Sequence, residues 1–101
     1  MDLEEQVMGI IINAGQSRSL CYEALNSAKT GDFADADEKM EQAQHYAREA
    51  HRVQTQLIEA DEGEGKTKMT LVMVHAQDHL MTSILAKELV GELIELYRTR
   101  H

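Results

Sequence analysis

No proline occurs anywhere in the 101 residues, and that absence constrains the fold more than any other feature. Proline is the residue that most sharply stops or kinks a helix, so a chain without it can run in long uninterrupted helices. The apolar positions point the same way, because they are mostly Ala, Leu, Ile, Val and Met, with Phe33, Tyr22, Tyr46 and Tyr97 the only aromatics. That mixture favours helix over sheet, and the length sets a single domain spanning 1–101.

Apolar periodicity divides the chain into three helices at about 3–30, 33–61 and 67–98. In the first, Leu3, Val7, Ile10, Ile11, Ala14, Cys21, Ala24 and Ala28 recur at three- and four-residue steps. It ends at Thr30-Gly31, where glycine can take a left-handed cap. Gly9 and Gly15 lie inside this helix at a cost of about 1 kcal/mol each against alanine, so close approach of another backbone is expected at both. Asp32 reads as the N-cap of the second helix, which carries Phe33, Ala36, Met40, Ala43, Ala47, Ala50, Val53, Leu57 and Ile58. Glu62-Gly63-Glu64-Gly65 ends it. Short links between long helices predict an all-α, antiparallel three-helix bundle.

The third helix has too much apolar surface for such a bundle. At about 100° per residue, Met69, Met73, Ala76, Leu80 and Ile84 form one stripe. Leu71, Val74, Met81, Leu85, Leu89 and Leu96 form another on a different side. One stripe can face the first two helices, and the other needs a further copy of the chain, so a homo-oligomer is expected. Asp78 falls in the middle of that second stripe. Either it sits at a wet edge of the interface, or symmetry copies converge on the oligomer axis and share a cation, a proton or water.

Charge and cysteine content exclude several functions. Eighteen acidic residues against ten basic ones give a formal charge of −8, the wrong balance for gripping nucleic-acid phosphates and a suitable one for a basic protein partner. The lone Cys21 allows no intrachain disulfide and reads as a small core residue, compatible with a reducing cytoplasm. No run approaches the ~18 apolar residues of a membrane span, and the chain opens with Asp2, Glu4 and Glu5 instead of a basic leader. A soluble chain with no direct membrane insertion is expected.

Two motifs fail on inspection. GEGKT at 63–67 imitates a P-loop, but position 60 holds Ala60 in place of the required glycine and a helix precedes it where a strand should. In VHAQDHLM, residues 74–81, His75 and His79 have metal-ligand spacing, yet Ala76 stands where HExxH places its glutamate base. His45 and His51 lie about 120° apart on the second helix and cannot both join a site on the third. His75 and Asp78 could pair, but no serine or cysteine nucleophile is nearby. Two readings remain open for the histidines: a structural role, or a nucleophile that accepts a group and passes it on.

The same VHAQDHLM segment resembles the active-site stretch of the lactose/cellobiose/N,N'-diacetylchitobiose-type enzyme IIA of the bacterial phosphoenolpyruvate-dependent sugar phosphotransferase system. IINAGQSRS at 11–19, AHRVQTQLIEADEGEGK at 50–66 and ILAKELVGELIELY at 84–97 are similar to further segments of that family, in order. The resemblance implies a homotrimer of three-helix bundles in the cytoplasm. It implies that His75 is the catalytic residue, carrying a phosphoryl group on its ε2 nitrogen, with Gln77 and His79 in the surrounding substrate-binding site. It places Asp78 near the threefold axis, where it holds a divalent cation such as Mg²⁺. Its implied partners are HPr as donor, a cysteine of the cognate enzyme IIB as acceptor, and the membrane enzyme IIC, during uptake of a β-linked disaccharide. The competing class is a non-catalytic oligomeric adaptor that uses the spare apolar stripe for partner binding.

Overall fold

The computed structural model describes residues 3–100, and residues 1, 2 and 101 lie outside the described residues. Three helices account for almost all of it: α1 (Leu3–Lys29), α2 (Phe33–Asp61) and α3 (Leu71–Arg100), with no strand among the described residues. The molecule is elongated, 52 × 20 × 18 Å.

The α1–α2 turn is built as the sequence predicts. Gly31 takes φ 85°, and the Gly31 and Asp32 amides donate back to the carbonyls of Ala28 (3.0 Å) and Ser27 (2.9 Å), the paired bonds of a glycine-closed helix end. Asp32 then caps α2, its side chain accepting from the Asp35 amide at 3.2 Å. The second link differs from expectation. α3 starts at Leu71, not at 67, because the Thr67 amide donates to the Asp61 carboxylate (2.7 Å), as does the Gly65 amide (3.1 Å). The cap is Thr70, whose hydroxyl accepts from the Met73 amide at 3.1 Å. Glu62, Gly63 and Gly65, all at positive φ, fold the intervening chain back onto Asp61.

Two apolar cores lie end to end. One joins Val7, Ile10 and Ala14 of α1 with Ala50, Val53 and Leu57 of α2 and Met73, Ala76 and Leu80 of α3. The other joins Cys21, Ala24 and Ala28 with Ala36, Ala43, Val90 and Ile94. Between them the buried Ser17 donates to the Ala43 carbonyl across the α1–α2 interface (2.8 Å), and Ser83 donates within its own helix to Leu80 (2.8 Å). Small buried residues, Ser17 of α1 and Ala43 of α2 among them, line the contact between these two helices. Accordingly, α1 meets both other helices broadly, while α2 and α3 share a smaller surface.

What is buried is therefore mostly small, and what is large is mostly outside. Leu71, Val74, Met81, Leu85, Leu89 and Leu96 all stand exposed along α3, as do Met8 and Ile12 on α1. The predicted division of α3 into two stripes is present: Met73, Ala76 and Leu80 are buried, and Ile84 packs against them. Met69, expected on the inner stripe, precedes the helix and is 63% exposed, and Ile58 of α2 is equally exposed. The glycine expectation also needs correction. Nothing lies within 4 Å of a Cβ placed at Gly9, and the neighbour of Gly15 is the side chain of His79, not a backbone.

Candidate functional site

The groove between α1 and the outer edge of α3 encloses about 620 Å³, and His75, Asp78, His79 and Thr82 line it from α3. From α1 it receives Arg18, Tyr22 and Leu25. Helical geometry explains the grouping: His75, Asp78, His79 and Thr82 follow one another at steps of three, one and three, so they climb a single edge beside the apolar stripe. The imidazoles of His75 and His79 stack with centroids 5.9 Å apart and planes 2° from parallel.

His75 and Asp78 are exposed, while His79 is half-buried against α1, where a Cβ at Gly15 would lie 3.5 Å from its Nε2. An exposed imidazole standing on a rigid helix is available to a reactive group brought by a partner. The thiol of Cys21 is not: it is fully buried, and burial pushes its pKa up more than the nearby Lys87 ammonium lowers it.

Gln77 lies elsewhere. Its side-chain oxygen accepts from the Gln54 amide group of α2, and its nitrogen approaches Met73 Sδ at 3.7 Å. It lines a separate depression with Leu57, Ile58, Asp61, Thr67 and Met69. Within one chain the structure thus brings His75, Asp78 and His79 together and sets Gln77 on the α2 side of the same helix. Arg18 and Tyr22 were not singled out by sequence reasoning, because periodicity says nothing about which α1 residue meets which α3 residue. The signal that could have found Arg18 is its place in IINAGQSRS, three residues after Gly15.

A metal finds no ready cage in the single chain. Among the described residues no three His, Cys, Asp or Glu side chains are placed to hold one ion. Asp78 contributes one carboxylate in the middle of the exposed stripe, a single hard oxygen donor of the kind divalent cations take.

A family model described as "PTS system, Lactose/Cellobiose specific IIA subunit" matches residues 5–98. The chain belongs to this family. It is 65% identical over 96 residues to the N,N'-diacetylchitobiose-specific EIIA component of Escherichia coli K12, covering 95% of this chain and 83% of that one. To the lactose-specific EIIA component of Staphylococcus aureus it is 42% identical over 97 residues, covering 94% of each. Among solved structures, the cellobiose-specific enzyme IIA of Bacillus anthracis superposes with a TM-score of 0.92 at 43% identity, covering 98% of this chain and 92% of that one. The IIA(Chitobiose) protein of E. coli, solved in solution as a complex with HPr, gives 0.85 at 62% identity, covering 98% and 96%. This enzyme IIA has no helix among its described residues that is long and apolar enough to cross a membrane.

Proposed function

We propose that this chain is the cytoplasmic phosphoryl carrier of a sugar phosphotransferase system. It takes a phosphoryl group from phosphorylated HPr onto His75 and passes it to a cysteine of the cognate enzyme IIB, which serves the membrane enzyme IIC during uptake of a β-linked disaccharide of the lactose, cellobiose or chitobiose class. The observation that carries this reading is an exposed imidazole at the edge of an apolar helix face, on a chain 62% identical to a protein solved bound to HPr.

Phosphoryl transfer passes through a loose in-line transition state, so the carrier's task is positioning. The lone pair of an unprotonated His75 ring nitrogen attacks phosphorus from one side as the P–N bond of the donor histidine breaks on the other. The electron pair of that bond returns to the donor ring. In the second half, a cysteine thiolate of enzyme IIB attacks the same phosphorus, and the P–N pair returns to His75. An acidic chain of net charge −8 suits a donor whose reactive histidine is ringed by basic residues.

The working assembly is a homotrimer of antiparallel bundles. The shared cores support the helix course, because the first half of α1 packs with the second half of α2 and the first half of α3. The exposed α3 stripe supports the assembly, since leucines covered by nothing in one chain are covered by two more copies. In that arrangement three Asp78 carboxylates would face one another and hold one divalent cation such as Mg²⁺, which would offset their repulsion and takes no part in phosphoryl transfer. His79 supports the His75 ring by stacking, while Gln77, paired with Gln54 on the α2 side of the helix, stands outside the His75 groove of its own chain.

Mixing the chain with phosphorylated HPr and then with enzyme IIB tests the relay by intact mass. The carrier reading requires the mass of one phosphoryl group to appear in the first step and leave in the second. An adaptor using the α3 stripe for binding alone gains no mass in either step.

A further inference from the structure

A second groove of the molecule has no part in the phosphoryl relay. It lies between α2 and α3, has a volume of about 330 Å³, and is lined from α2 by Gln44, Ala47, Arg48, His51 and Arg52 and from α3 by Ile84 and Lys87. The α2 residues follow one another at steps of three and one, which keeps them on a single face of that helix. Ile84 stands about two and a half turns beyond His75 at about 3.6 residues per turn, so the two grooves open on opposite sides of α3. Lys87 likewise faces away from the exposed Met81, Leu85 and Leu89. An assembly through that apolar stripe leaves this groove open.

We propose that this groove binds a small sugar phosphate, with Arg48, Arg52 and Lys87 holding the phosphate oxygens and Gln44 and His51 meeting hydroxyl groups. Three observations support it. The first is charge. Three of the ten Lys and Arg residues of the chain line this one depression and no acidic residue does, although the chain as a whole carries −8. A cleft walled by one sign of charge concentrates its field and draws in ions of the other sign.

The second is availability. Lys87 is half-buried and close enough to the buried Cys21 for its charge to act on the thiol. Neither its ammonium nor the Arg48 guanidinium has a hydrogen-bond or ion-pair partner among the described residues. Arg52 is tied only to Glu49, at 3.0 Å in a solvent-exposed pair, and pairs of that kind hold a side chain weakly. It is free to turn to an incoming anion. The third is the match of ligand to lining. A planar guanidinium presents paired N–H donors to two phosphate oxygens at once, and Ala47 and Ile84 give the C–H face of a sugar an apolar floor. No aromatic side chain lines the groove, so a nucleobase finds no ring to stack on.

The experiment titrates the full chain with glucose 6-phosphate, glucose, inorganic phosphate and AMP and follows the backbone amide resonances by NMR. Glucose 6-phosphate should shift Gln44, Arg48, His51 and Lys87 saturably, and glucose should shift none of them. Inorganic phosphate and AMP should bind about tenfold more weakly, equivalent to about 1.4 kcal/mol. Arg48→Gln and Lys87→Gln should each weaken glucose 6-phosphate by a similar factor, while Lys68→Gln, which changes an exposed lysine outside the groove, leaves it unchanged. Arg48 is exposed, so its variant decides the matter even where Lys87→Gln fails to fold. Inorganic phosphate or AMP binding as tightly as glucose 6-phosphate overturns the sugar-phosphate assignment. The absence of a saturable shift, shifts centred on the His75 groove, or equal weakening by Lys68→Gln overturns the site itself.

Discussion

His79 rests against Gly15: a Cβ built on the glycine would stand 3.5 Å from His79 Nε2, an ordinary contact distance. Alanine therefore fits at this position, whereas a branched side chain would push the imidazole away and disturb its stack with His75. Gly15→Ala should be neutral or stabilising by up to about 1 kcal/mol, the helix preference of alanine over glycine, and should still accept a phosphoryl group. Gly15→Val should fold yet shift the ring proton resonances of both histidines. Unchanged resonances in the valine variant would show that α1 does not position His79.

That contact illustrates what the sequence could and could not say. The helices, the Gly31 turn and the Asp32 cap were legible because each depends on residues a few positions apart. The start of α3 was not, because Thr67 looks like a helix opener until its amide is seen committed to Asp61. The division of α3 into two apolar stripes was readable from 3.6-residue periodicity alone, and so was the oddity of Asp78 within one of them. Which α1 residues complete the groove depends on the rotation of one helix against another. No pattern within α1 reports it, and so Arg18 and Tyr22 emerged only from coordinates.

The exposed α3 stripe makes a prediction about assembly. Sedimentation should return three times the 11.4 kDa chain mass. Leu85→Glu, which sets a carboxylate amid exposed leucines, should lower that mass toward one chain while leaving helical content intact. A wild-type chain that sediments as a monomer at every concentration removes the trimer from the account.

Asp78 interrupts the same stripe. Three carboxylates meeting in a poorly solvated place repel one another, and replacing buried ions by well-packed apolar groups is often neutral or stabilising by about 1–4 kcal/mol. Asp78→Leu should therefore give a trimer at least as heat-stable as the parent, insensitive to EDTA and still phosphorylated. Dissociation of this variant would instead make Asp78 an organising group.

Asp61 holds the link between α2 and α3. Its carboxyl pKa is lowered from the usual value, chiefly by the Thr67 amide and further by that of Gly65. A group whose folded pKa is depressed adds stability above its unfolded pKa and loses it as pH falls through the folded value. The amides of Gly65 and Thr67 should thus lose protection from hydrogen exchange only at pH below the ordinary carboxylate range. Asp61→Ala should expose them at neutral pH as well, with α3 still starting at its Thr70 cap.

The central claim is that His75 carries the phosphoryl group, and locating that group on the chain tests it most directly. After incubation with phosphorylated HPr, fragment mass spectrometry under alkaline conditions should place one acid-labile phosphoryl group on His75. His75→Ala should fold, assemble and gain no mass, while His79→Ala still gains it. A folded His75→Ala that takes up one phosphoryl group, or a wild-type chain carrying it on another residue, would contradict the account.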